Sequence, residues 1–204
     1  MKKLFIVEGY NDKLFCHHFL QETGSYPKDK IDVFVNSARA DDLRPYQTRA
    51  ITRFSERSSP YRVLIKIENG RGTLFSLLQK QIVNVLVNLY EIAPVVIFDQ
   101  DGRNPQRDFD CIFESVRRRS KHIDFELRDN RSLRSGDILL RNYDLVKSVG
   151  NDSKVLSNFD FLIFRPSLER LAGIDESADD QAKEERIREL VRSLKRTAVA
   201  RLFE

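Results

Sequence analysis

The stretch LFIVEGYNDK, Leu4 to Lys13, sets four consecutive apolar residues directly before Glu8 and Gly9. Such a short, continuous run of strand formers is expected where helices cover both faces of a parallel strand. Beyond it Leu14, Phe15, Phe19 and Leu20 recur at helical spacing, with Asn11 or Asp12 as the N-cap and Gly24 as the stop. Together these make one βα unit, and Glu8 falls at its turn.

The alternation repeats along the chain. Ile31–Val35 reads as a second strand, and Leu43, Tyr46, Ala50, Ile51 and Phe54 line one face of a helix begun by Pro45. Val63–Ile67 reads as a third strand, broken by Asn69-Gly70-Arg71-Gly72. Leu74, Leu77, Leu78, Ile82, Val85, Leu86 and Leu89 then form the clearest amphipathic helix. Pro94 ends that helix and Val95–Phe98 begins a fourth strand. Phe109, Ile112, Phe113 and Val116 mark another helix, and Ile123, Phe125 and Leu127 alternate as a strand.

From Arg128 to Asn158 the pattern supports no firm assignment, with Gly136 and Gly150 as punctuation and an extended stretch at Ile138–Leu140. Phe159–Phe164 is a further apolar run, Pro166-Ser167 opens a short helix and Gly173 closes it. Ile187, Leu190, Val191, Leu194, Ala198 and Leu202 stripe a C-terminal helix over about residues 179–203. Parallel neighbours need crossover connections, and helices supply them. The expected fold is therefore α/β: a Rossmann-type, mostly parallel sheet with helices on both faces and a C-terminal helical extension. Residues 1–130 would form the core and 131–204 an extension completing the sheet, all in one compact domain.

Composition bounds the function. In 204 residues, 41% hydrophobic and 32% charged describe an ordinary folded chain with room for one well-cored domain. A net charge of +4 and a pI near 9.1 tilt towards polyanionic partners. Cys16 and Cys111 have neither disulfide-framework nor zinc spacing and read as small buried hydrophobes. With no leader pattern and no run of membrane-spanning length, a cytoplasmic location and no membrane partner are expected. His17 and His18 are adjacent on a helix and point apart, and His122 has no visible partner. No G-x-S-x-G or Cys-His pattern indicates acyl chemistry.

In parallel α/β sheets, ligands gather outside the carboxyl ends of the strands. Glu8 is predicted there. Asp99 and Asp101, in VVIFDQDG, follow the fourth apolar run, and an extended backbone would point both carboxylates one way. VLIKIENGRGT brings Gly70, Arg71 and Gly72 to a strand end, readable as a phosphate cradle or as a plain strand-to-helix turn. Glu169 enters with FLIFRPSLERL in the first turn of a short helix, as a metal ligand or as a charge that stabilises the helix N-terminus. Lys13 and Arg103, next to the acidic turns, are candidate phosphate contacts. Clustered carboxylates without His or Cys suit magnesium, with manganese as a substitute, because that ion takes hard oxygen ligands and keeps several waters. Arg117, Arg118, Arg119 and Lys121 read as a solvated face or as a phosphate track. Arg128, Arg131, Arg134 and Arg141 punctuate the unassigned stretch, and as a long loop beside a crevice it would suit nucleic-acid binding.

VEGYNDK followed by IFDQDG resembles the Toprim domain. That family is shared by bacterial primases, type IA and type II topoisomerases, and small nucleases including the overcoming-lysogenization-defect family and ribosomal-RNA maturases. The resemblance implies that Glu8 acts as general acid or base and also borders the metal, and that Asp99 and Asp101 hold magnesium. It further implies that Gly9 allows a tight turn beneath Glu8 and that Glu169 completes a nuclease-type metal site. Asp12 matches a recurrent acidic position, as helix cap or ligand. The interval between Glu8 and Asp99 leaves room for an extra βα unit compared with compact members. No companion domain of a primase or topoisomerase fits in the remaining chain, so a small nuclease is the nearest kind.

The expected activity is a magnesium-dependent phosphodiesterase on DNA or RNA. The alternative is a noncatalytic nucleic-acid or phosphate-binding module of a larger complex or homo-oligomer, with a phosphotransferase as a remoter option.

Overall fold

The structure, a computed structural model, describes residues 2–35, 46–78, 92–102, 107, 110, 114, 124–149 and 152–203. Its centre is a seven-stranded sheet in the order β2-β3-β1-β4-β7-β6-β5. The strands are β1 (Lys2–Val7), β2 (Ile31–Val35), β3 (Val63–Ile67), β4 (Ile92–Asp99), β5 (Asp124–Ser135), β6 (Ile138–Val149) and β7 (Asp152–Phe164). The first four and β7 run parallel, while β6 is antiparallel to both β7 and β5. The fold is thus α/β with a mostly parallel sheet.

Side-chain alternation assigns the helices to faces. Leu4 and Ile6 of β1, with Leu64, Val96 and Phe98, pack beneath α2 (Tyr46–Ser55) and α3 (residues 71–78), through Ile51, Phe54, Leu74, Leu77 and Leu78. Phe5 and Val7, with Ile65, Ile97 and Phe164, face α1 (Tyr10–Thr23), α4 (Leu168–Ala172) and α5 (Asp180–Leu194). Both faces of β1 are closed, which is why its residues are apolar without alternation. A 3₁₀ turn, Ala198–Leu202, ends on Phe203, whose ring stacks on Phe5 and Phe19 at 4.9 and 4.5 Å. Among the described residues no helix is long and apolar enough to cross a membrane.

Several expectations need correction. The N-cap of α1 is Gly9; Asp12 sits three residues on and accepts the Gly9 amide at 2.9 Å. Pro94 lies inside β4, ahead of Val95, where β7 first joins, so its missing donor falls before the strand gains its second neighbour. The unassigned stretch from Arg128 is the larger part of three long antiparallel strands turning at Gly136, whose φ is 58°. Arg128, Arg131, Arg134 and Arg141 therefore lie on β5 and β6, not on a loop. The expected C-terminal helix stops at Leu194, and Thr197 caps the 3₁₀ turn that follows.

Gly24 and Gly173 close α1 and α4 in the left-handed conformation, as their spacing predicted. Of the helix expected around Phe109–Val116, only Arg107, Asp110 and Glu114 are described, each helical. Leu43, Pro45, Ile82–Leu89, Arg103, Cys111, Arg117–Lys121, His122 and Gly150 lie outside the described residues.

Candidate functional site

Register brings the acidic strand ends side by side. Val7 of β1 is level with Ile67 of β3 and Ile97 of β4, and Asp99 is level with Phe164 of β7. The residues just beyond are Glu8, Glu68, Asp99 to Asp101, and the Arg165–Glu169 turn, so four adjoining strands feed one rim. The Gly70 amide donates to the Glu8 carbonyl at 2.9 Å, and the Asp101 amide to the Pro166 carbonyl at 2.9 Å, tying the loops together.

Asp99 is the hub. Its Oδ1 accepts the Leu168 amide at 2.9 Å, which binds the start of α4 to the end of β4. Burial pushes its carboxyl up to about 7; the Leu168 amide opposes this, while the charges of Glu169, Glu8 and Asp101 add to it. Asp12 is 5% exposed, and burial followed by the charge of Asp99 raises it well above the usual carboxylate range, with Glu8 and Glu169 contributing and the Gly9 amide opposing. Glu8 is also raised, first by burial and further by Asp101, and is held back by the Arg71 charge and by the backbone amides at Asp99 and Arg71. Among the described residues its Oε2 is buried without a hydrogen-bond partner. Glu169 accepts Asn11 Nδ2 at 2.8 Å, which anchors it to the first turn of α1.

The structure therefore brings Glu8, Asp12, Asp99, Asp101 and Glu169 within electrostatic reach of one another. It departs from expectation in their aim. Asp101 has φ 51°, so the backbone is not extended through Asp101 and the extended-strand argument for aligning the two carboxylates does not apply. Gly9 is extended at φ −142°, a conformation any residue adopts, and a Cβ there would meet only Asp12 Oδ2, at 3.8 Å. The tight turn is instead in the next loop over, where Asn69 and Gly70 have φ of 56° and 119°.

The guanidinium of Arg71, a candidate phosphate contact, is engaged within the protein through one of its donors. Nη1 donates to the Asp99 carbonyl, and the group lies 4.8 Å from the Phe75 ring and 5.3 Å from Phe98. It latches the end of β3 to the end of β4. Gly72 is in the first turn of α3 and Lys13 lies over the Tyr10 ring at 4.7 Å.

Sequence reasoning passed over Lys66 and Glu68, which are fully buried and form an ion pair under the rim. Burial lowers the Lys66 pKa and Glu68 counters it. The available signal was a lysine inside the apolar run VLIKI, since an unpaired ammonium is not kept in a sheet core. His18 is buried 3.3 Å from Glu184, between α1 and α5 and away from the rim.

An all-oxygen donor set, carboxyls at Glu8, Asp12 and Asp99 raised by burial and then by neighbouring charge, and a Glu8 oxygen without a partner among the described residues fit a hard divalent cation, which would relieve the repulsion. Among the described residues no three His, Cys, Asp or Glu side chains are already grouped as metal ligands. Magnesium does not need such a cage, because one or two carboxylates plus water and phosphate usually suffice. A separate cavity of about 740 Å³ between β2 and α2 is lined by Phe34, Phe54 and Tyr61, and none of the rim carboxylates reaches it. No family model, curated protein or solved structure matches the chain.

Proposed function

We propose that this chain is a magnesium-dependent phosphodiesterase acting on DNA or RNA, of the Toprim nuclease kind. The observation that carries the reading is the register that sets Glu8, Asp99 and Asp101 at adjoining strand ends, where burial first and then their neighbouring charges raise Glu8 and push Asp99 up to about 7. The E-G and D-x-D motifs that resemble the Toprim domain supply these same residues.

Asp99 and Asp101 would hold the metal, with Glu169 positioned by Asn11 to reach it. Bound magnesium supplies charge neutralisation at the phosphate and favours deprotonation of water. Glu8, with its raised pKa, accepts a proton from the attacking water or returns one to the leaving oxygen. Asp12, more deeply buried, stays with the Gly9 amide and keeps the first turn of α1 against the rim. Arg71 holds the Asp99 backbone while its charge restrains the Glu8 pKa.

One observation favours a second reading: no ready-made ligand group exists among the described residues. A noncatalytic module would grip a phosphate or nucleic-acid end with the same rim. Incubating the protein with single- and double-stranded DNA and RNA, with magnesium, manganese or chelator, separates the two. The nuclease reading expects metal-dependent cleavage abolished by Glu8→Gln and by Asp99→Asn. Metal-independent binding unchanged by either substitution, with no cleavage, overturns it.

A further inference from the structure

Tyr10 is 61% exposed, more than any other large hydrophobic residue described as exposed. It is the first residue of α1, two positions from Glu8 and directly after the Gly9 cap, so it stands at the edge of the carboxylate rim. Lys13 Nζ lies 4.7 Å from the ring centroid. At the surface such a cation–π contact is worth about 0.5–1 kcal/mol, enough to bias the ring towards one orientation. The result is an aromatic plate in solvent, backed by a positive charge, next to a site suited to a phosphodiester.

A lone exposed aromatic is ordinary; what distinguishes this one is its place at the start of α1 beside Glu8 and the Lys13 cation over one face of the ring. A second protein copy is a poor occupant, because the other large hydrophobics exposed among the described residues, Val33, Val35, Val149 and Val155, lie on β2, β6 and β7 and not on α1 with Tyr10. A nucleobase fits the plate. Every base has a π-face, and a lysine beside it meets the adjoining phosphate.

Resting on the phosphodiesterase reading, we infer that Tyr10 stacks on an unpaired nucleobase next to the bound phosphate, so that the preferred substrate is single-stranded or frayed nucleic acid. A base inside a duplex is already stacked on both faces and cannot offer one to the ring. Tyr10 thereby sets specificity; it does not touch the reacting atoms.

The test uses cleavage-resistant phosphorothioate oligonucleotides of DNA and of RNA, each with one 2-aminopurine moved along the strand, titrated with the full chain in magnesium. The expected result is quenching at one position in the single strand, weaker binding of the matching duplex, and roughly 5- to 150-fold weaker single-strand binding in Tyr10→Ala. Tyr10→Phe retains both affinity and quenching, which also separates stacking from hydroxyl chemistry. Wild-type binding with undiminished affinity and quenching in Tyr10→Ala overturns the inference and leaves the phosphodiesterase reading standing. No binding of any oligonucleotide by the wild type overturns both. The exposed position makes misfolding of the variants readily checked by circular dichroism.

Discussion

At the scale of single residues, the rim is a set of carboxyls that would rather not be charged together. Asp99 holds a proton up to about pH 7 in the folded chain, against 3.8 ordinarily. Between those values the folded state binds more protons than the unfolded state, so stability from this group is full at low pH and falls as pH rises through 7. Removing the charge should therefore stabilise the metal-free protein. Asp99→Asn is expected to raise stability at pH 8 by about 1–2 kcal/mol, roughly 2–8 °C in Tm, with little gain at pH 4, as read by calorimetry in chelator. A loss of Tm at pH 8 would count against a burial- and charge-raised Asp99 carboxyl. Arg71 acts in the opposite direction: its charge lowers the Glu8 pKa and its guanidinium bonds the Asp99 carbonyl. Arg71→Ala should raise the Glu8 pKa, followed by carboxyl NMR titration, and destabilise the fold by about 2 kcal/mol.

At the scale of elements, what the sequence made legible follows what each element buries. β1, β3 and β4 are covered on both faces and show continuous apolar runs; α1 and α4 are bounded by left-handed glycines at Gly24 and Gly173. β5 and the near half of β7 are largely exposed, so Arg128, Asn130, Arg131, Ser153 and Lys154 break any apolar rhythm, and a three-stranded region read as a loop. The site was legible as residue types at strand ends. Its aim was not, because the left-handed turn at Asp101 and the capture of Arg71 by Asp99 depend on neighbours far along the chain. Helix α4 shows how local chemistry serves the site. Ser167 caps it by accepting the Arg170 amide, and the next amide, Leu168, is the one that restrains Asp99. Ser167→Ala should cost about 1 kcal/mol in denaturant unfolding and shift the Asp99 pKa upward as that amide loses its alignment.

At the scale of the whole molecule, the sheet is a frame that aligns four strand ends, and its far side is locked by the C-terminal turn. Phe203 is fully buried against Phe5 and Phe19, so Phe203→Ala should cost about 3 kcal/mol and lower the urea midpoint without changing the slope. A shift under about 1 kcal/mol would mean the turn is not part of the cooperative unit. The account as a whole stands on convergence of Glu8, Asp99 and Asp101 upon one cation. Its most direct measurement is a manganese titration of the metal-free protein followed by electron paramagnetic resonance of the free ion. The prediction is saturable binding that magnesium competes away, weakened in Glu8→Gln and lost in Asp99→Asn and Asp101→Asn. A wild type that leaves millimolar manganese free, or binding indifferent to all three substitutions, would contradict it.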